Sequence, residues 1–394
     1  MKYRNANDIL PSELLENIQQ YIQGEYIYIP IKDKIEKTTL TEYELELQKR
    51  DERIYLRHLE GIAGKRLAEM YNLSDSSIRR IIINQRKRYE DMQENIRSIL
   101  KKWNIDTDDK SFNLEQIYDS AWQVGEQYIL KVYDDINMLE RNIKLITILD
   151  NMNIPVGRII PTVGNMNFAR DEEHYYMLND KLRGKNIVSI KGNARLAYDM
   201  GDIIAKLHLA FRECEEQDEF WDNSLLAEMR GWVRESLSGN GWKYISKEEY
   251  DDVVSKLEKL YDKLPAQLIH RDVHFGNFLF DEGKFSGYID FDLSQRNIRI
   301  FDLCYFLLGL LSEEGKLEVT ENDWFEVLRN VFGGYEHSIK LSEEEKQAVP
   351  YVMMSIELLF VAWFVGQDDV KCAENAMDIY RFVLKNVQRI WRYL

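Results

Sequence analysis

Three residues whose side chains can bind a metal or a proton lie close together in the last third of the chain. The run LIHRDVHFGNFLFDEGKFSGYIDFD places Asp272 five residues before Asn277, and Asp290 follows thirteen residues later. Phosphoryl transfer needs a carboxylate that orients the acceptor hydroxyl and oxygen ligands that hold Mg²⁺ against the phosphates. The order predicts Asp272 as the catalytic base and Asn277 and Asp290 as metal ligands.

A predicted hairpin positions these residues. Apolar segments flank the turn DEGK, so Asp290 would stand at the end of the second strand of the hairpin. The alternative is a chance match in which Asp272 and Asn277 only cap turns. The strands on both sides and the IDFD ending favour the catalytic interpretation.

The run HRDVHFGN, followed by YIDFD and FDLCYFL, resembles the aminoglycoside phosphotransferase and choline kinase superfamily, over roughly residues 95–390. The resemblance implies an α+β, bilobal protein-kinase-like fold with a small antiparallel-sheet lobe and a large helical lobe. It also implies ATP or GTP with Mg²⁺ as cofactors and a small-molecule hydroxyl as acceptor. Arg271 stands where the superfamily more often has glycine. Protein kinases carry arginine there, but the chain lacks their GxGxxG loop and APE sequence, which argues against a protein substrate.

A predicted three-stranded meander, FNLEQIY, AWQVG and QYILKVY, would form the small lobe. Lys131 lies inside its third strand, where an ammonium group is unfavourable without a partner. Kinases place their phosphate-binding lysine on this strand and pair it with a glutamate of the next helix, here Glu140. Ser120 lies where the loop that covers the nucleotide is expected. The resemblance places the hinge that contacts the nucleobase at residues 179–182, which adds Asn179 and Lys181.

The resemblance also assigns supporting residues around the catalytic run. His208 is expected to brace the catalytic loop rather than act as a base, because Asp272 already fills that role. His274 is expected to order the same loop, and Asp302 to stiffen it through hydrogen bonds. Asp292 would either reach a second Mg²⁺ or cap a turn.

The resemblance implies that the acceptor pocket forms between helices of the large lobe, within residues 211–250 and 305–370. The first region holds an acidic run and three tryptophans, which would suit an amine through ion pairing and cation–π contact: Glu213, Glu215, Glu216, Asp218, Glu219, Trp221, Trp232 and Trp242. A solvated helix with tryptophans in the core explains the same residues. The net charge of −16 favours a cationic acceptor or serves solubility.

A second module is predicted before the kinase-like part. Residues 52–90 give a helix ending near Gly61, a short helix, a tight turn and a third helix capped by Ser74 or Asp75, which is the pattern of a helix-turn-helix. Residues 61–90 carry seven basic and three acidic side chains. We expect the phosphate and base contacts at Ser74, Ser76, Ser77, Arg79 and Arg80. The alternative is a helical bundle whose basic face meets protein or solvent.

The segment upstream, residues 9–30, is similar to the leader of Mor-like helix-turn-helix proteins, where it commonly helps dimerisation, so a homodimer is expected. The predicted domains are an all-α helix-turn-helix domain at 1–90, the small lobe at 91–182 and the large lobe at 183–394. Residues 1–100 hold 17 basic and 17 acidic residues, so the whole net charge lies on the remainder. Such asymmetry suggests modules with different partners.

Composition places the chain in the cytoplasm. Cys214, Cys304 and Cys372 form no CxxC pair, which fits a reducing compartment. No run of 18 apolar residues and no basic-then-apolar leader is seen, so neither a membrane span nor a secretory signal is expected.

Two functions follow from the sequence. One is a small-molecule kinase that phosphorylates a hydroxyl of an aminoglycoside-like or choline-like compound. The other is a transcription regulator whose kinase-like domain senses a nucleotide or metabolite and controls DNA binding. A protein kinase or a spore-associated relative of the fold is a third, weaker interpretation.

Overall fold

The computed structural model describes residues 42–59, 61–107, 112–118, 120–187, 189–312 and 319–394. The chain divides into two compact units, Met1–Met92 and Gln93–Leu394. The predicted domain boundaries stay predictions, and the helix Asp75–Leu100 continues through the one expected at residue 90.

In the first unit, three helices form around a small apolar core. They are α1 (Glu42–Leu59), α2 (Gly64–Tyr71) and α3 (Asp75–Leu100). Asn72 ends α2 with a positive φ of 51°, and the hydroxyl of Ser74 accepts the Ser77 N–H at 3.1 Å at the start of α3. This core consists of Ile54, Leu67, Ala68, Ile78 and Ile81. The helix ends match those predicted for the helix-turn-helix, whereas the upstream segment 9–30 lies outside the described residues.

The small lobe is built on one antiparallel sheet. Its strands are β1 (Leu114–Tyr118), β2 (Ala121–Val124), β3 (Tyr128–Tyr133), β4 (Ala169–Arg170) and β5 (Tyr175–Asp180), in the order β1-β2-β3-β5-β4. The first three strands are the predicted meander. Helix α4 (Ile136–Asn151) follows β3, and the Asp135 carboxylate caps it by accepting the Asn137 N–H at 2.8 Å.

The large lobe is mainly helical. Its helices are α5 (Ala194–Gln217), α6 (Leu225–Glu228), α7 (Arg234–Gly239), α8 (Lys247–Tyr261), α9 (Ile300–Gly309), α10 (Glu321–Ser338), α11 (Glu343–Gly366) and α12 (Val370–Tyr393), with a π turn at Met229–Val233. Helices α5 and α10 approach backbone to backbone. A Cβ added at Gly201 would lie 1.9 Å from the Val331 carbonyl oxygen, and one at Gly334 would lie 1.9 Å from the Tyr198 carbonyl oxygen. Only glycine fits at both positions.

Two short sheets carry the catalytic run. Strand β7 (Ala266–Ile269) pairs with β10 (Gln295–Ile298), and β6 (Lys185–Asn186), β8 (Phe278–Asp281) and β9 (Lys284–Tyr288) form the other sheet. The β8–β9 loop consists of Glu282 and Gly283, with φ values of 49° and 78°. Two successive positive φ values are typical of a type I′ turn. The predicted hairpin is therefore confirmed.

Among the described helices, α11 is the one that is long and apolar enough to cross a membrane. Of its most apolar window, 67% is buried inside the protein. Buried Glu345 lies near its start and forms an ion pair with Arg299 at 2.7 Å. These contacts are those of a core helix.

Candidate active site

The loop that follows β7 is held by one buried carboxylate. Asp302, in the first turn of α9, accepts the backbone N–H of His270 at 2.9 Å and that of Arg271 at 2.8 Å. His208 on α5 lies 2.9 Å from the same carboxylate through Nε2, and both side chains are fully buried. Two helices, α5 and α9, therefore fix the loop at one point, and His208 and Asp302 brace it as the resemblance implied.

The predicted base, Asp272, is held in place on both of its oxygens. Oδ1 accepts the Tyr305 hydroxyl at 2.8 Å, and Oδ2 accepts Nδ2 of Asn277 at 3.1 Å. His274 lies 3.4 Å from Oδ2. Burial alone would raise the pKa of Asp272, but the contacts with His274 and Tyr305 outweigh it and lower the pKa to about 2. The carboxylate is therefore ionised at neutral pH and can accept a hydrogen bond from a hydroxyl.

The two predicted metal ligands offer oxygen atoms of the right kind. Nδ2 of Asn277 donates to the backbone carbonyl of Asp272 at 2.8 Å and to its carboxylate at 3.1 Å. The amide oxygen of Asn277 therefore points away from Asp272. In Asp290, Oδ1 accepts Nζ of Lys131 at 2.8 Å. Burial raises the pKa of Asp290, but the contact with Lys131 lowers it by a larger amount. The pKa therefore lies below its usual value, and the carboxylate is ionised at neutral pH.

This donor set fits a divalent cation held mainly by a nucleotide. Within the described residues, no group of three or more His, Cys, Asp and Glu side chains could hold a metal ion. One amide oxygen and one carboxylate, completed by phosphate and water oxygens, are what Mg²⁺ takes in kinase sites. Asn277 and Asp290 would hold such an ion, which would neutralise charge on the phosphates.

The lysine of the third strand has partners other than the predicted one. Nζ of Lys131 lies 2.8 Å from Asp290 and 2.8 Å from Asp292. Glu140, the expected partner, is exposed on α4. The predicted Lys131–Glu140 pair is therefore not formed, because that position of the helix faces away from the sheet.

Asn142 makes the contact from α4 that was expected of Glu140. It is buried, and its Nδ2 donates to Asp292 at 2.5 Å; the hydroxyl of Tyr133 donates to the same oxygen at 3.2 Å. Asp292 is thus a shared partner of a strand lysine and a helix amide. A signal for Asn142 existed in the sequence, since it lies on the inward face of the helix between Leu139 and Ile146.

A cavity of about 380 Å³ lies between the small-lobe sheet and the catalytic loop. Its wall includes the predicted phosphate-binding lysine and both predicted metal ligands, beside the apolar Met177 of β5: Lys131, Asn277 and Asp290. A mainly apolar cleft with convergent polar groups at one end suits a nucleotide, with its base in the apolar part and its phosphates at the charged end.

Two of the three other predicted nucleotide contacts line this cavity. Asn179 is buried and donates through Nδ2 to the Gly157 carbonyl at 2.8 Å, while Lys181 donates through Nζ to Gln123 at 2.8 Å. Ser120 is exposed in the β1–β2 turn and does not line the cavity. The side chain of Asn179 therefore holds the hinge to Gly157, and the backbone N–H groups of Asp180 and Lys181 donate to Arg158 and Gln127.

A second cavity, of about 730 Å³, opens on the other side of the catalytic loop. Asp272 and Tyr305 line it together with side chains of α11 and α12, and His274 and Gly276 line both cavities. The catalytic loop therefore separates a nucleotide-sized cleft from a second binding space.

The acidic segment expected at the acceptor pocket lies elsewhere. No described residue of 211–250 lines the second cavity, whereas parts of 305–370 do. Glu215 pairs with Arg296 at 2.7 Å, and Asp218 pairs with Lys144 at 2.6 Å. Trp221 packs against the Arg141 guanidinium, 5.4 Å from its ring centroid. These contacts join surface elements, and the second cavity gives no support to the first of the two predicted acceptor regions, which stays a prediction.

Two family models match parts of this chain. The model of the phosphotransferase enzyme family matches residues 114–336. The model of the Mor transcription activator family matches residues 3–97. A homoserine kinase from Neisseria meningitidis serogroup B (strain ATCC BAA-335 / MC58) is 28% identical over 162 residues, 40% of this chain and 49% of the relative. The chain thus spans about half the length of that relative.

Solved structures share the fold. An amicoumacin kinase in complex with AMP-PNP, Ca²⁺ and Ami superposes with a TM-score of 0.57 at 16% identity, over 78% of this chain and 96% of that one. A choline kinase from Cryptosporidium parvum Iowa II gives a TM-score of 0.54 at 14% identity, over 76% and 96%. The bilobal protein-kinase-like fold is therefore confirmed.

Proposed function

The chain belongs to the phosphotransferase enzyme family, and we propose that it is a small-molecule kinase that transfers the γ-phosphate of ATP or GTP, with Mg²⁺, to a hydroxyl of a small cationic molecule in the cytoplasm. The observation that carries the proposal is the position of the catalytic loop between two cavities. Asn277 and Asp290 face the nucleotide-sized cleft, and Asp272 faces the other cavity. A phosphoryl group can pass across the loop in line with an acceptor hydroxyl.

Asp272 has the role of aligning the acceptor. Its ionised carboxylate accepts the hydrogen bond of the hydroxyl, and Tyr305 and Asn277 keep it pointed at that position. The new bond joins the acceptor oxygen to the γ-phosphorus as the bond to the β–γ bridging oxygen breaks. The hydroxyl proton passes to Asp272 and then to solvent. Because the pKa of Asp272 is low, the proton moves late, and positioning supplies most of its contribution.

Lys131 supplies positive charge next to the phosphates. It contacts Asp290 and Asp292 in the structure, so its ammonium lies at the charged end of the nucleotide cleft. A bound nucleotide would offer phosphate oxygens within reach of the same ammonium. Asn179 and Lys181, and Ser120 in the turn beside the cleft, complete the proposed nucleotide contacts.

A mass-spectrometric screen tests the proposal. The protein is incubated with ATP and Mg²⁺ against aminoglycosides, amino alcohols, sugars and nucleosides, in parallel with Asp272→Asn. We expect one acceptor class to gain a single phosphoryl group with the wild type and to lose roughly a hundredfold or more of that rate in the variant. Asp281→Asn, an exposed residue at the end of β8, is the matched control. Equal transfer by wild type and Asp272→Asn would overturn the role of Asp272.

A second proposal concerns the N-terminal segment. We propose that residues 1–90 bind DNA, as a homodimer, and that the kinase-like domain reports a bound nucleotide or metabolite to them. The match to the Mor family and the exposed Arg79 and Arg80 on α3 support it. The variant Asp272→Asn distinguishes the two proposals, because it should stop phosphoryl transfer but leave ligand-controlled DNA binding intact.

A further inference from the structure

One buried carboxyl group in the second cavity has no part in the mechanism above. Glu357 lies in the middle of helix α11, its side chain is 3% exposed, and it lines the same cavity as Asp272. Within the described residues, no hydrogen bond or ion pair to its carboxyl group is formed. Burial raises the pKa of Glu357 well above its usual value.

A buried carboxyl group without a partner is energetically unfavourable when ionised, so its presence on a cavity wall needs an explanation. The buried carboxylate of the ion pair near the start of the same helix, Glu345, shows the contrast, because Arg299 contacts it at 2.7 Å. Glu357 therefore resembles a binding group whose partner comes from outside the chain.

The rest of the cavity limits what that partner can be. Most of its described wall is apolar or aromatic, including Ile190, Phe306, Phe360, Phe364 and Ile379. Among the described lining residues, Asp272 and Glu357 are the acidic side chains, and Lys371 is a basic one. Since Asp272 is directed at the reacting hydroxyl, Glu357 is the acidic side chain that the described part of the wall leaves for a positive charge.

We propose that Glu357 is an acceptor-binding residue, and that the acceptor is an amino alcohol with one cationic group on an apolar body. The inference rests on the proposed function for the identity of this cavity as the acceptor site. The ammonium pairs with Glu357, the apolar body packs on Phe360 and Phe364, and the hydroxyl reaches Asp272. An aminoglycoside with several ammonium groups would leave the others in an apolar space beside Lys371, without partners.

The proposal predicts how Glu357 changes on binding. With the cavity empty, the raised pKa favours the neutral acid, which avoids a buried charge. An arriving ammonium favours the carboxylate, and aromatic faces at Phe360 and Phe364 add cation–π contact. A neutral alcohol of the same shape would gain the apolar contact alone.

A binding experiment tests this without turnover. The wild type, Asp272→Asn, Glu357→Gln and the exposed control Glu216→Gln are each saturated with AMP-PNP and Mg²⁺. They are then titrated calorimetrically with three probes: choline, its neutral isostere 3,3-dimethylbutan-1-ol, and kanamycin. A retained AMP-PNP affinity shows that each variant is folded.

We expect choline to bind more tightly than the isostere and kanamycin, in the wild type, in Asp272→Asn and in Glu216→Gln. Glu357→Gln should weaken choline at least about 30-fold while changing the isostere little, which is the loss typical of truncating one partner of a buried charge pair. Two results overturn the inference: a Glu357→Gln variant that binds choline as the wild type does, or tighter binding of kanamycin or the isostere than of choline. If Glu357→Gln keeps the wild-type preference while the screen finds a phosphorylated acceptor, the inference fails and the proposed kinase activity stands. If choline binding depends on Glu357 and no acceptor is ever phosphorylated, the proposed activity fails instead.

Discussion

Asp272 couples the reactivity of the site to the stability of the fold through its depressed pKa. A carboxyl group whose folded pKa of about 2 lies below the ordinary value of 3.8 stabilises the folded state when it is ionised. That stabilisation is complete above the ordinary pKa and is lost as the pH falls towards 2. We expect a contribution of roughly 2 kcal/mol at neutral pH, of which about half is gone at pH 3.

Urea denaturation of the wild type and Asp272→Asn between pH 3 and 7 measures this contribution. The difference in the free energy of unfolding between the two proteins should change as the pH falls from 5 to 3, because Asp272 takes up its proton at a higher pH in the unfolded chain than in the folded one. Asp281→Asn is the control. A difference that is the same at every pH would mean that the pKa of Asp272 is not depressed.

The partners of Lys131 give a prediction that separates two carboxylates. Asp292→Asn removes one of the two anions that hold the ammonium, and it weakens the contacts from Asn142 and Tyr133. We expect AMP-PNP with Mg²⁺ to bind roughly tenfold more weakly, the effect of a lost charged hydrogen bond. The exposed Glu140→Gln should change the affinity less than twofold. Calorimetric titration with AMP-PNP and Mg²⁺ measures the affinity of both variants. A larger loss of affinity in Glu140→Gln than in Asp292→Asn would mean that Glu140 becomes the partner of Lys131 when nucleotide is bound.

Arg271 adopts a positive φ of 68°, a region of backbone conformation that favours glycine. Its guanidinium donates to both carboxylate oxygens of Glu228, at 2.8 and 3.0 Å. The side chain of Glu228 is 9% exposed, so this ion pair is largely buried and offsets the strain of the backbone. Arg271→Gly should relieve about 1 kcal/mol of backbone strain but leave a buried carboxylate unpaired, which costs about 3–5 kcal/mol.

The expected net loss in the free energy of unfolding is about 2 kcal/mol or more. The double variant Arg271→Gly/Glu228→Gln should recover most of it, because no unpaired charge remains. Chemical denaturation of the single and double variants forms the cycle. If the double variant is as unstable as Arg271→Gly, the pair with Glu228 is not what compensates the arginine.

At the level of elements, the closest packing in the large lobe lies between α5 and α10. Gly334→Ala would push a methyl group into the Tyr198 carbonyl, 1.9 Å away, and should destabilise the protein by about 3 kcal/mol or more. The neighbouring Gly333→Ala meets ordinary contacts at 3.9 Å, so it should be neutral or stabilise by about 0.5–1 kcal/mol through helix propensity. Thermal unfolding of this adjacent pair tests the packing. Similar melting temperatures would mean that α5 and α10 are farther apart.

Elements fixed by local chemistry could be predicted from the sequence. The DEGK hairpin, the three-strand meander and the Ser74 cap each depend on residues within a few positions of one another. The rotation of α4 about its axis does not, because it is set by packing against the rest of the lobe. The sequence therefore indicated Glu140 where the structure uses Asn142.

The acceptor side could not be predicted for a related reason. A run of acidic residues at 213–219 looks functional when only composition is considered, yet two of its members, Glu215 and Asp218, form ion pairs with residues of other elements. Glu357 stands alone in an apolar helix that resembles any core segment. Only the fold, which brings α11, α12 and the catalytic loop around one cavity, shows that this helix forms a cavity wall.

Over the whole molecule, charge is distributed by module. Residues 1–100 are neutral overall, whereas the remainder carries the entire net charge of −16. An acidic kinase-like part repels a polyanion, so any affinity for DNA must come from the basic side chains of the N-terminal segment. Exposed arginines and a lysine are available on α3: Arg79, Arg80, Arg86, Lys87 and Arg88.

We expect the full chain to bind duplex DNA through α3, with an affinity that falls steeply as the salt concentration rises. Arg79→Ala/Arg80→Ala should weaken binding to a random-sequence duplex library and reduce the slope of log affinity against log salt by about 2, since each phosphate contact contributes about 0.9. The matched control, Lys284→Ala/Arg329→Ala, removes the same charge from exposed positions of the kinase-like part and should leave the slope unchanged. Fluorescence anisotropy from 50 to 200 mM salt measures both.

Repeating that titration with AMP-PNP and Mg²⁺ connects the two modules. A shift in DNA affinity that Asp290→Asn removes would mean that nucleotide bound in the kinase-like part is read by the DNA-binding part, as the regulator proposal requires. An unchanged affinity would leave two independent activities in one chain. Equal losses in the α3 variant and its control, or no binding at low salt, would instead assign the basic face of α3 to a protein partner or to solvent.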